Sequence, residues 1–346
     1  MESLRLDLFL PPMLIAFSFS AVIMLFFILI PFFQRSRWRE DDRHKTKTLS
    51  RLGGLALLLS FVVTALLDPN LVITREFVGL FVGAGLILFF GLWDDMKEVG
   101  WKIQIFFQVT LAFIVFLFGV RIVSITNPLG GIFLFPEQGI TLLLGFFILL
   151  FWILLVMNAM NWLDGVDGVC GGVSIITLAT IFFLSLKPEV NQPPIALLCV
   201  IGIGAILGFL FFNFYPARIL AGTVGALFLG FLIAVLAVIA GTKIATAFLV
   251  LSLPIADALF VIGERFRDNV SIFQADQRHL HYKLLRLGWK ESSVAWFFFV
   301  VTALIALLAL STEALGKFVA LVLIFGLIFS LLALVGYSVK RKERGV

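Results

Sequence analysis

The chain has 346 residues, of which 61% are hydrophobic and 14% are charged, and its formal net charge is +5. Soluble globular domains are roughly half apolar and about a quarter charged, so this composition excludes an ordinary soluble enzyme. The mean hydropathy of +1.12 and the recurring apolar runs predict a membrane protein. Because little polar sequence remains, residues 1–346 are expected to form a single integral membrane domain. Basic loops beside anionic lipid account for the net charge, so no nucleic-acid partner is predicted.

Apolar segments follow one another along the chain and predict an all-α polytopic fold with about 11 transmembrane helices. The segments are 11–33, 53–67, 77–93, 103–119, 139–157, 170–186, 193–212, 222–240, 242–262, 293–311 and 317–339.

Alternation of these spans divides the connections into two sets with different charge. The first set consists of 34–52, 94–102, 158–169, 213–221, 263–292 and 340–346. It carries 20 of the 26 Lys and Arg residues, and the other set carries 6. The positive-inside rule therefore predicts that the first set is cytoplasmic, with the N-terminus outside and the C-terminus inside. In the outer set, residues 120–138 predict a small β-hairpin.

The first basic connection combines cations with a glycine pair. Lys47 and Arg51 precede Gly53 and Gly54, which open the next apolar segment. Backbone amides at a helix N-terminus attract anions, so this stretch suits an anionic group. The alternative is a juxtamembrane basic cluster that serves topology alone.

Asp94 and Asp95 form a pair of adjacent carboxylates at the end of the segment 77–93. Such a pair at the lipid–water boundary is costly unless water, a cation or a base role accepts it. The two either share a divalent cation, or one holds it while the other accepts a proton. An ordinary helix end is the alternative. Lys102 follows, and it either snorkels to the surface or meets a phosphate.

The connection 158–169 is the most informative part of the sequence. Asn158, Asn161 and Asp164 are spaced by three, so on a helix they share a face. Two Asp-Gly steps, the second at Asp167, then break the helix and let the backbone approach a ligand closely. Carboxylate and amide oxygens are ligands of the kind that Mg²⁺ prefers. This pattern favours a functional site over a plain turn.

The connection 263–292 contains Arg278, His279 and His281. Histidines two positions apart do not have the helical spacing of a zinc pair, and no cysteine lies near them. Phosphate binding by Arg and His donors is therefore favoured, with a solvated basic helix as the alternative. Upstream, Asp257 lies inside the segment 242–262. It is either a functional residue or a helix-packing residue bonded to a neighbour.

In their order and spacing, these stretches resemble the polyprenyl-phosphate N-acetylhexosamine-1-phosphate transferase family. The His-Leu-His form is most similar to the bacterial undecaprenyl-phosphate N-acetylglucosamine-1-phosphate transferases; the muramyl-pentapeptide branch typically has three consecutive histidines. The resemblance implies transfer of a hexosamine 1-phosphate, most simply GlcNAc-1-phosphate, from a UDP-N-acetylhexosamine to polyprenyl phosphate, releasing UMP. It implies Mg²⁺, or alternatively Mn²⁺, in a multi-pass protein of the bacterial inner membrane with a cytoplasmic active site. A homodimer is left open.

The resemblance also assigns roles to residues. The catalytic candidates are Asp94, Asp95 and Asp164. The substrate-binding candidates are Lys47, Lys102, Asn158, Asp167, Arg278, His279 and His281. The metal candidates are Asn161, Asp164 and Thr223.

Thr223 departs from the family pattern, because it stands where a metal-binding aspartate is usual. A neutral hydroxyl is a weak replacement for a carboxylate on a hard dication. One alternative function is therefore a catalytically weakened relative that binds lipid carrier or nucleotide. A secondary transporter is the other, since the chain has many spans and the intramembrane Asp257.

Overall fold

The computed structural model describes residues 6–30, 49–127, 129–241, 244–271 and 277–343. Lys47 lies outside the described residues. The described helices are α1 (Leu6–Leu29), α2 (Gly53–Leu67), α3 (Arg75–Lys97), α4 (Trp101–Leu117), α5 (Gly139–Leu163), α6 (Val169–Ser185), α7 (Pro193–Asn213), α8 (Gly222–Ile239), α9 (Ile244–Val250), α10 (Ser252–Arg267), α11 (Leu280–Arg286), α12 (Glu291–Ser311) and α13 (Ala314–Glu343). Strands β1 (Ser124–Thr126) and β2 (Ile132–Leu134) pair antiparallel, with Ile125 opposite Phe133.

The helices follow the predicted apolar segments in order. Seven of the described helices are long and apolar enough to cross a membrane, and the bent pair α9 and α10 makes an eighth if it is one span. The shorter apolar helices α2, α4 and α6 coincide with three further predicted segments. The protein is therefore an all-α polytopic membrane protein, and the count of about 11 spans stays a prediction.

The helices differ from the predicted apolar segments in three places. The segment 242–262 is not one straight helix, because α9 and α10 meet at an angle of 74°. Pro254 lies in the first turn of α10, where a missing N–H needs no helical partner, so the proline is compatible with a new helix start. Helix α5 continues to Leu163, into the connection predicted at 158–169, and α13 continues into the predicted tail.

Helix α8 lies at the centre of the bundle. All its residues from Val224 to Val238 are buried. An indole N–H···O bond of 3.0 Å from Trp152 to the Ala234 carbonyl joins α5 to α8. Peripheral helices such as α13 keep many apolar side chains exposed, as lipid contact requires. The central helix therefore fixes the position of Thr223, which lies in its first turn.

The described parts of the basic connections lie at one end of the bundle. The Leu220 amide donates to the Ser50 carbonyl, and the Lys342 ammonium group donates to the Arg286 carbonyl. The carboxyl end of α3 and the amino end of α8 meet at this same end. The two strands follow α4, which carries the chain to the opposite end. Which end faces the cytoplasm stays a prediction.

Candidate active site

Asp94 lies in the last turn of α3 and uses both carboxylate oxygens. Oδ1 accepts hydrogen bonds from the Val99 amide at 2.9 Å and from Gln104 Nε2 at 3.0 Å. Oδ2 accepts a bond of 2.7 Å from the Thr223 hydroxyl. One oxygen thus fixes the α3–α4 turn, while the other faces the start of α8. The side chain retains a small exposed edge, with the residue 9% exposed.

Asp95 is more deeply buried, at 3% exposure. Both of its oxygens lie 3.0 Å from the Thr223 amide nitrogen, and Arg51 Nη1 lies 3.7 Å from Oδ1. A helix N-terminus leaves its first amides without helical partners and carries partial positive charge. The Asp95 carboxylate supplies that missing acceptor from a neighbouring helix. Its geometry is that of a residue that holds α8 and Arg51 in place.

Thr223 therefore contacts both members of the aspartate pair (Asp94 and Asp95). Its hydroxyl donates to Asp94, and its amide donates to Asp95. Each bond has a charged acceptor, the class of hydrogen bond that contributes most to stability. The role of Thr223 as a metal ligand stays a prediction; in the structure its hydroxyl and its amide bind the two carboxylates.

The interpretation of the glycine pair as anion donors is wrong. The Gly53 amide donates to the Leu220 carbonyl at 3.0 Å, and the Gly54 amide donates to the Ala221 carbonyl at 2.9 Å. A Cβ atom on Gly54 would overlap the Gly225 amide nitrogen. The pair is needed because α2 and α8 approach each other too closely for side chains. Its amides are already satisfied and are not available to an anion.

The amide–carboxylate turn (residues 158–168) consists of the end of α5 and the connection that leads to α6. Asn158 exchanges hydrogen bonds with Gln108, whose amide group lies on α4. Asn161 and Asp164 are half-buried, whereas Asp167 is buried and accepts a 3.0 Å bond from the Ala217 amide. Asn158 is also half-buried, but its amide group is paired with Gln108, which leaves Asn161 and Asp164 as the candidate oxygen ligands of this turn.

Helix α4 connects the aspartate pair to this turn. Gln104 and Gln108 are one helical turn apart, and they bind Asp94 and Asn158 respectively. These glutamines were missed by the sequence reasoning. Their signal was present, because two amides at i and i+4 in an otherwise apolar helix are costly unless they have partners. They bring residues from α3 and α5 into one site.

Asn213, at the end of α7, was also missed. Its Oδ1 accepts a 3.0 Å bond from the Gly168 amide, and its Nδ2 donates to the Ile219 carbonyl at 2.9 Å. The side chain is 4% exposed. Buried backbone groups need partners, and this one amide satisfies two of them. Asn213 thereby joins the amide–carboxylate turn to the segment that leads into Thr223.

The histidines lie beside the amide–carboxylate turn. The rings of His279 and His281 are parallel, with centroids 5.8 Å apart, and the Trp162 ring centroid lies 5.6 Å from that of His279. His279 is 4% exposed and His281 is fully buried. Nδ1 of His279 lies 2.8 Å from Asp257 Oδ2. Asp257, predicted as functional or as a packing residue, is thus bonded to a candidate site residue.

Gly165 allows His281 to approach the turn. A Cβ atom at Gly165 would overlap the His281 Nε2 atom. Gly165→Ala is therefore expected to displace the turn or the ring and to lower stability by about 1–3 kcal/mol, the usual cost of overpacking. The measurement is the thermal unfolding of the purified protein in detergent. Gly263→Ala in α10 is the matched control, since a Cβ there meets nothing within 4 Å. Equal melting temperatures for the two variants would contradict the expectation.

Two other candidates lie further out. Lys102 is exposed, and its ammonium nitrogen lies 5.7 Å from the Trp101 ring centroid. Arg278 Nη1 donates to Asp268 Oδ2 at 2.6 Å. Hydrogen bonds from Arg278 and Arg267 lower the pKa of the Asp268 carboxyl group, so the Arg278–Asp268 pair is ionised at neutral pH. The structure does not bring either cation into contact with the aspartate pair.

Two buried cations near the histidines were not predicted. Arg265 is 2% exposed, and its guanidinium carbon lies 5.8 Å from the Trp162 ring centroid. The Lys283 ammonium group donates to Glu264 Oε2 at 2.9 Å. Buried charges are stable when they are paired or lie against an aromatic face. Arg265 therefore lies against Trp162, whereas the charge of Lys283 is balanced by Glu264.

Comparison with known proteins places this site in a family. Residues 77–241 match the model described as glycosyl transferase family 4. A phospho-N-acetylmuramoyl-pentapeptide-transferase of Geobacillus sp. (strain WCH70) is 31% identical over 328 residues, covering 86% of this chain and 96% of the relative. The chain belongs to glycosyl transferase family 4. The matched region contains the aspartate pair, the amide–carboxylate turn and Thr223.

Two further relatives have names that agree with the predicted resemblance, which is therefore confirmed. A probable undecaprenyl-phosphate N-acetylglucosaminyl 1-phosphate transferase of Bacillus subtilis (strain 168) is 28% identical over 288 residues, 82% of this chain and 78% of the relative. A decaprenyl-phosphate N-acetylglucosaminephosphotransferase of Mycobacterium tuberculosis (strain ATCC 25618 / H37Rv) is 30% identical over 305 residues, which cover 79% of this chain and 74% of the relative. These names disfavour the transporter alternative and do not choose between the sugars.

Proposed function

We propose that this transferase moves N-acetylglucosamine 1-phosphate, or a related hexosamine 1-phosphate, from a UDP-sugar to polyprenyl phosphate. The observation that carries the proposal is that α4 binds both Asp94 and the turn that bears Asn161 and Asp164, in a chain of this family. Gln104 and Thr223 bind Asp94, and Gln108 binds Asn158, so hydrogen bonds link the aspartate pair through α4 to the turn that contains Asn161 and Asp164. A water-soluble nucleotide and a lipid phosphate meet at this site. The product would enter cell-envelope glycan synthesis.

The chemistry follows from the two substrates. An oxygen of the carrier phosphate attacks the β-phosphorus of the UDP-sugar, and a new P–O bond forms. The bond from that phosphorus to the bridging oxygen breaks, and its electron pair leaves with UMP. A phosphate monoester has a second pKa near 6, so the attacking oxygen is largely deprotonated at neutral pH. Positioning and electrostatic stabilisation are then the main demands on the protein.

We assign the proposed roles by how exposed each residue is and by what it binds. Asp94, which is 9% exposed, positions the attacking oxygen of the carrier phosphate, or accepts the proton from the fraction that is still protonated. Asp95 and Asp167 are buried and each binds a backbone amide, so they hold the site's shape. Asn158, paired with Gln108, orients the face that Asn161 and Asp164 present. Arg278, His281 and Lys102 would contact the anionic substrates after side-chain movement.

The donor set fits a magnesium ion that is bound largely by substrate. The described residues contain no group of three or more His, Cys, Asp or Glu side chains placed to hold a metal. Mg²⁺ usually keeps several waters and binds one or two carboxylates together with substrate phosphates, so a full protein cage is not required. Asp164 and Asn161 are the proposed ligands, and Mn²⁺ would suit the same oxygens. When bound, the cation would neutralise charge on the diphosphate.

The proposed location is the cytoplasmic face of a bacterial inner membrane. The connections predicted to be cytoplasmic carry 20 of the 26 Lys and Arg residues, and their described parts lie at the site end. The positive-inside rule assigns that end to the cytoplasm, where nucleotide sugars are made available. An outer position of the β1–β2 pair follows from the same orientation.

Thr223 favours a second candidate, a weakened relative that binds carrier or nucleotide without efficient transfer. The usual family aspartate is absent, and the hydroxyl is already bonded to Asp94. Thr223→Asp tests this candidate. A weakened enzyme gains rate and needs less Mg²⁺ when the carboxylate is restored. If neither quantity changes, the site does not depend on a third carboxylate.

The proposed function is tested by UMP release from purified protein in its own lipid. UDP-GlcNAc and other UDP-hexosamines are supplied singly, with and without undecaprenyl phosphate and Mg²⁺. UMP is expected only when nucleotide sugar, lipid phosphate and a divalent cation are all present. Absence of turnover with every UDP-hexosamine at saturating Mg²⁺ would reject the proposal. Turnover unaffected by a chelator would reject the metal requirement alone.

A further inference from the structure

The described contacts of Asp257 are unusual for a carboxylate within an apolar segment. It lies in α10 and is 4% exposed. Oδ2 lies 2.8 Å from Nδ1 of His279, and Oδ1 accepts a 2.8 Å bond from the Leu280 amide. Both oxygens are therefore engaged by consecutive residues of the His-Leu-His stretch. Asp257 joins α10 to the start of α11.

This contact relates the tautomer of His279 to the charge on Asp257. An ionised carboxylate only accepts hydrogen bonds, so Nδ1 must donate. In a neutral imidazole the lone pair then resides on Nε2, the nitrogen on the other edge of the ring. In proteins, a hydrogen bond from one ring nitrogen to a carboxylate commonly sets the tautomer of a histidine and leaves the other nitrogen available to a ligand.

The ring so oriented borders the proposed site. His279 lies against Trp162, which is the neighbour of Asn161 in α5. The His281 ring stacks parallel to the His279 ring and also packs against Gly165. A rotation of His279 would therefore disturb the packing beside both proposed metal ligands.

We propose that Asp257 is a positioning residue that acts through His279, holding its Nδ1 protonated and its ring fixed beside Trp162. The catalytic part of this inference rests on the proposed transferase function. The tautomer does not, because it is a property of the resting protein. A purely structural role for Asp257, limited to the bond with Leu280, is the competing explanation.

Asp257→Asn separates the two roles. The asparagine oxygen can still accept from the Leu280 amide, so the start of α11 is kept. Its NH₂ group then faces His279 Nδ1 as a donor, which requires the proton to move to Nε2. Asp68→Asn is the matched control for loss of a carboxylate, because Asp68 follows α2 at the end of the bundle away from the site. Thermal unfolding in detergent shows whether each variant is folded.

Nitrogen-15 NMR of histidine-labelled protein reads the tautomer directly, because the chain has only 3 histidines. His279→Gln identifies the His279 signals. We expect Nδ1 of His279 to be protonated in the unmodified protein and in Asp68→Asn, and unprotonated in Asp257→Asn. An unprotonated Nδ1 in the unmodified protein, or an unchanged pattern in folded Asp257→Asn, would overturn the inference.

UMP-release kinetics test the catalytic part. Asp257→Asn is expected to lower kcat about 10²-fold, the loss that a small misplacement near the chemistry produces. In a His279→Gln background the same change should cost nothing further, because Asp257 acts through that ring. Losses that multiply would overturn the positioning role. Absence of turnover in the unmodified protein would instead reject the proposed function, while the NMR result still decides the tautomer.

Discussion

Asp94→Asn is expected to lower kcat for UMP release about 10²–10⁴-fold, the range that a positioned acid–base group supplies. The substitution keeps the shape of the side chain. Its oxygen can still accept from Val99 and Gln104, and its NH₂ group can donate to the Thr223 hydroxyl, which is able to accept. The lost quantity is therefore the negative charge and its basicity, rather than the α3–α4 turn.

The matched control for this prediction is Asp68→Asn. Asp68 follows α2 at the opposite end of the bundle, where its Oδ1 accepts from the Asn70 amide. This control should retain full activity. Comparable kcat values for Asp94→Asn and the unmodified protein would exclude Asp94 from the chemistry. A fall in both kcat and melting temperature would show that the substitution had damaged the fold.

Thr223→Val is expected to lower kcat/KM about 10–100-fold, while Thr223→Ser retains activity. Valine keeps the branched shape but removes the hydroxyl donor to Asp94. A hydrogen bond to a charged group contributes about 1.5–3 kcal/mol, and 1.36 kcal/mol corresponds to tenfold in rate. The amide bond to Asp95 is made by the backbone and survives in both variants. Serine retains the hydroxyl and is the control.

Steady-state kinetics at saturating Mg²⁺ check this prediction, with each substrate varied in turn. Loss in Thr223→Val and its recovery in Thr223→Ser would show that the hydroxyl orients Asp94. Equal activity of the valine and serine variants would contradict that role. Equal loss in both would show that the hydroxyl alone does not sustain activity and that the methyl group of Thr223 is needed as well.

The sequence identified most of the polar residues that the structure brings together. The adjacent pair Asp94 and Asp95 and the three-residue spacing of Asn158, Asn161 and Asp164 were visible as local patterns. Charge in lipid is costly, so polar residues between apolar spans stand out in the sequence. Alternation of the spans then grouped the basic connections, and the structure places the described ones at one end of the bundle.

The sequence alone did not separate residues that reach a ligand from those that hold the site. Asp94 and Asp95 are adjacent residues of the same type, so the sequence does not distinguish them. In the structure Asp94 is 9% exposed, whereas Asp95 is more deeply buried and binds the start of α8. The glycine pair was interpreted as an anion site, although its amides pair with Leu220 and Ala221. In both cases the role of the residue depends on a backbone group from a distant segment that binds it in the folded protein.

The sequence by itself determined the apolar helices, their alternation and the polar letters at their ends, because these follow from the cost of exposing backbone and charge to lipid. Only the tertiary structure decided the partners: Thr223 with the aspartate pair, Gln108 with Asn158, and Asp257 with His279. These partners are distant in sequence, and their pairing depends on how the helices pack. Packing is set by close contacts such as those at Gly54 and Gly165, which no local pattern encodes.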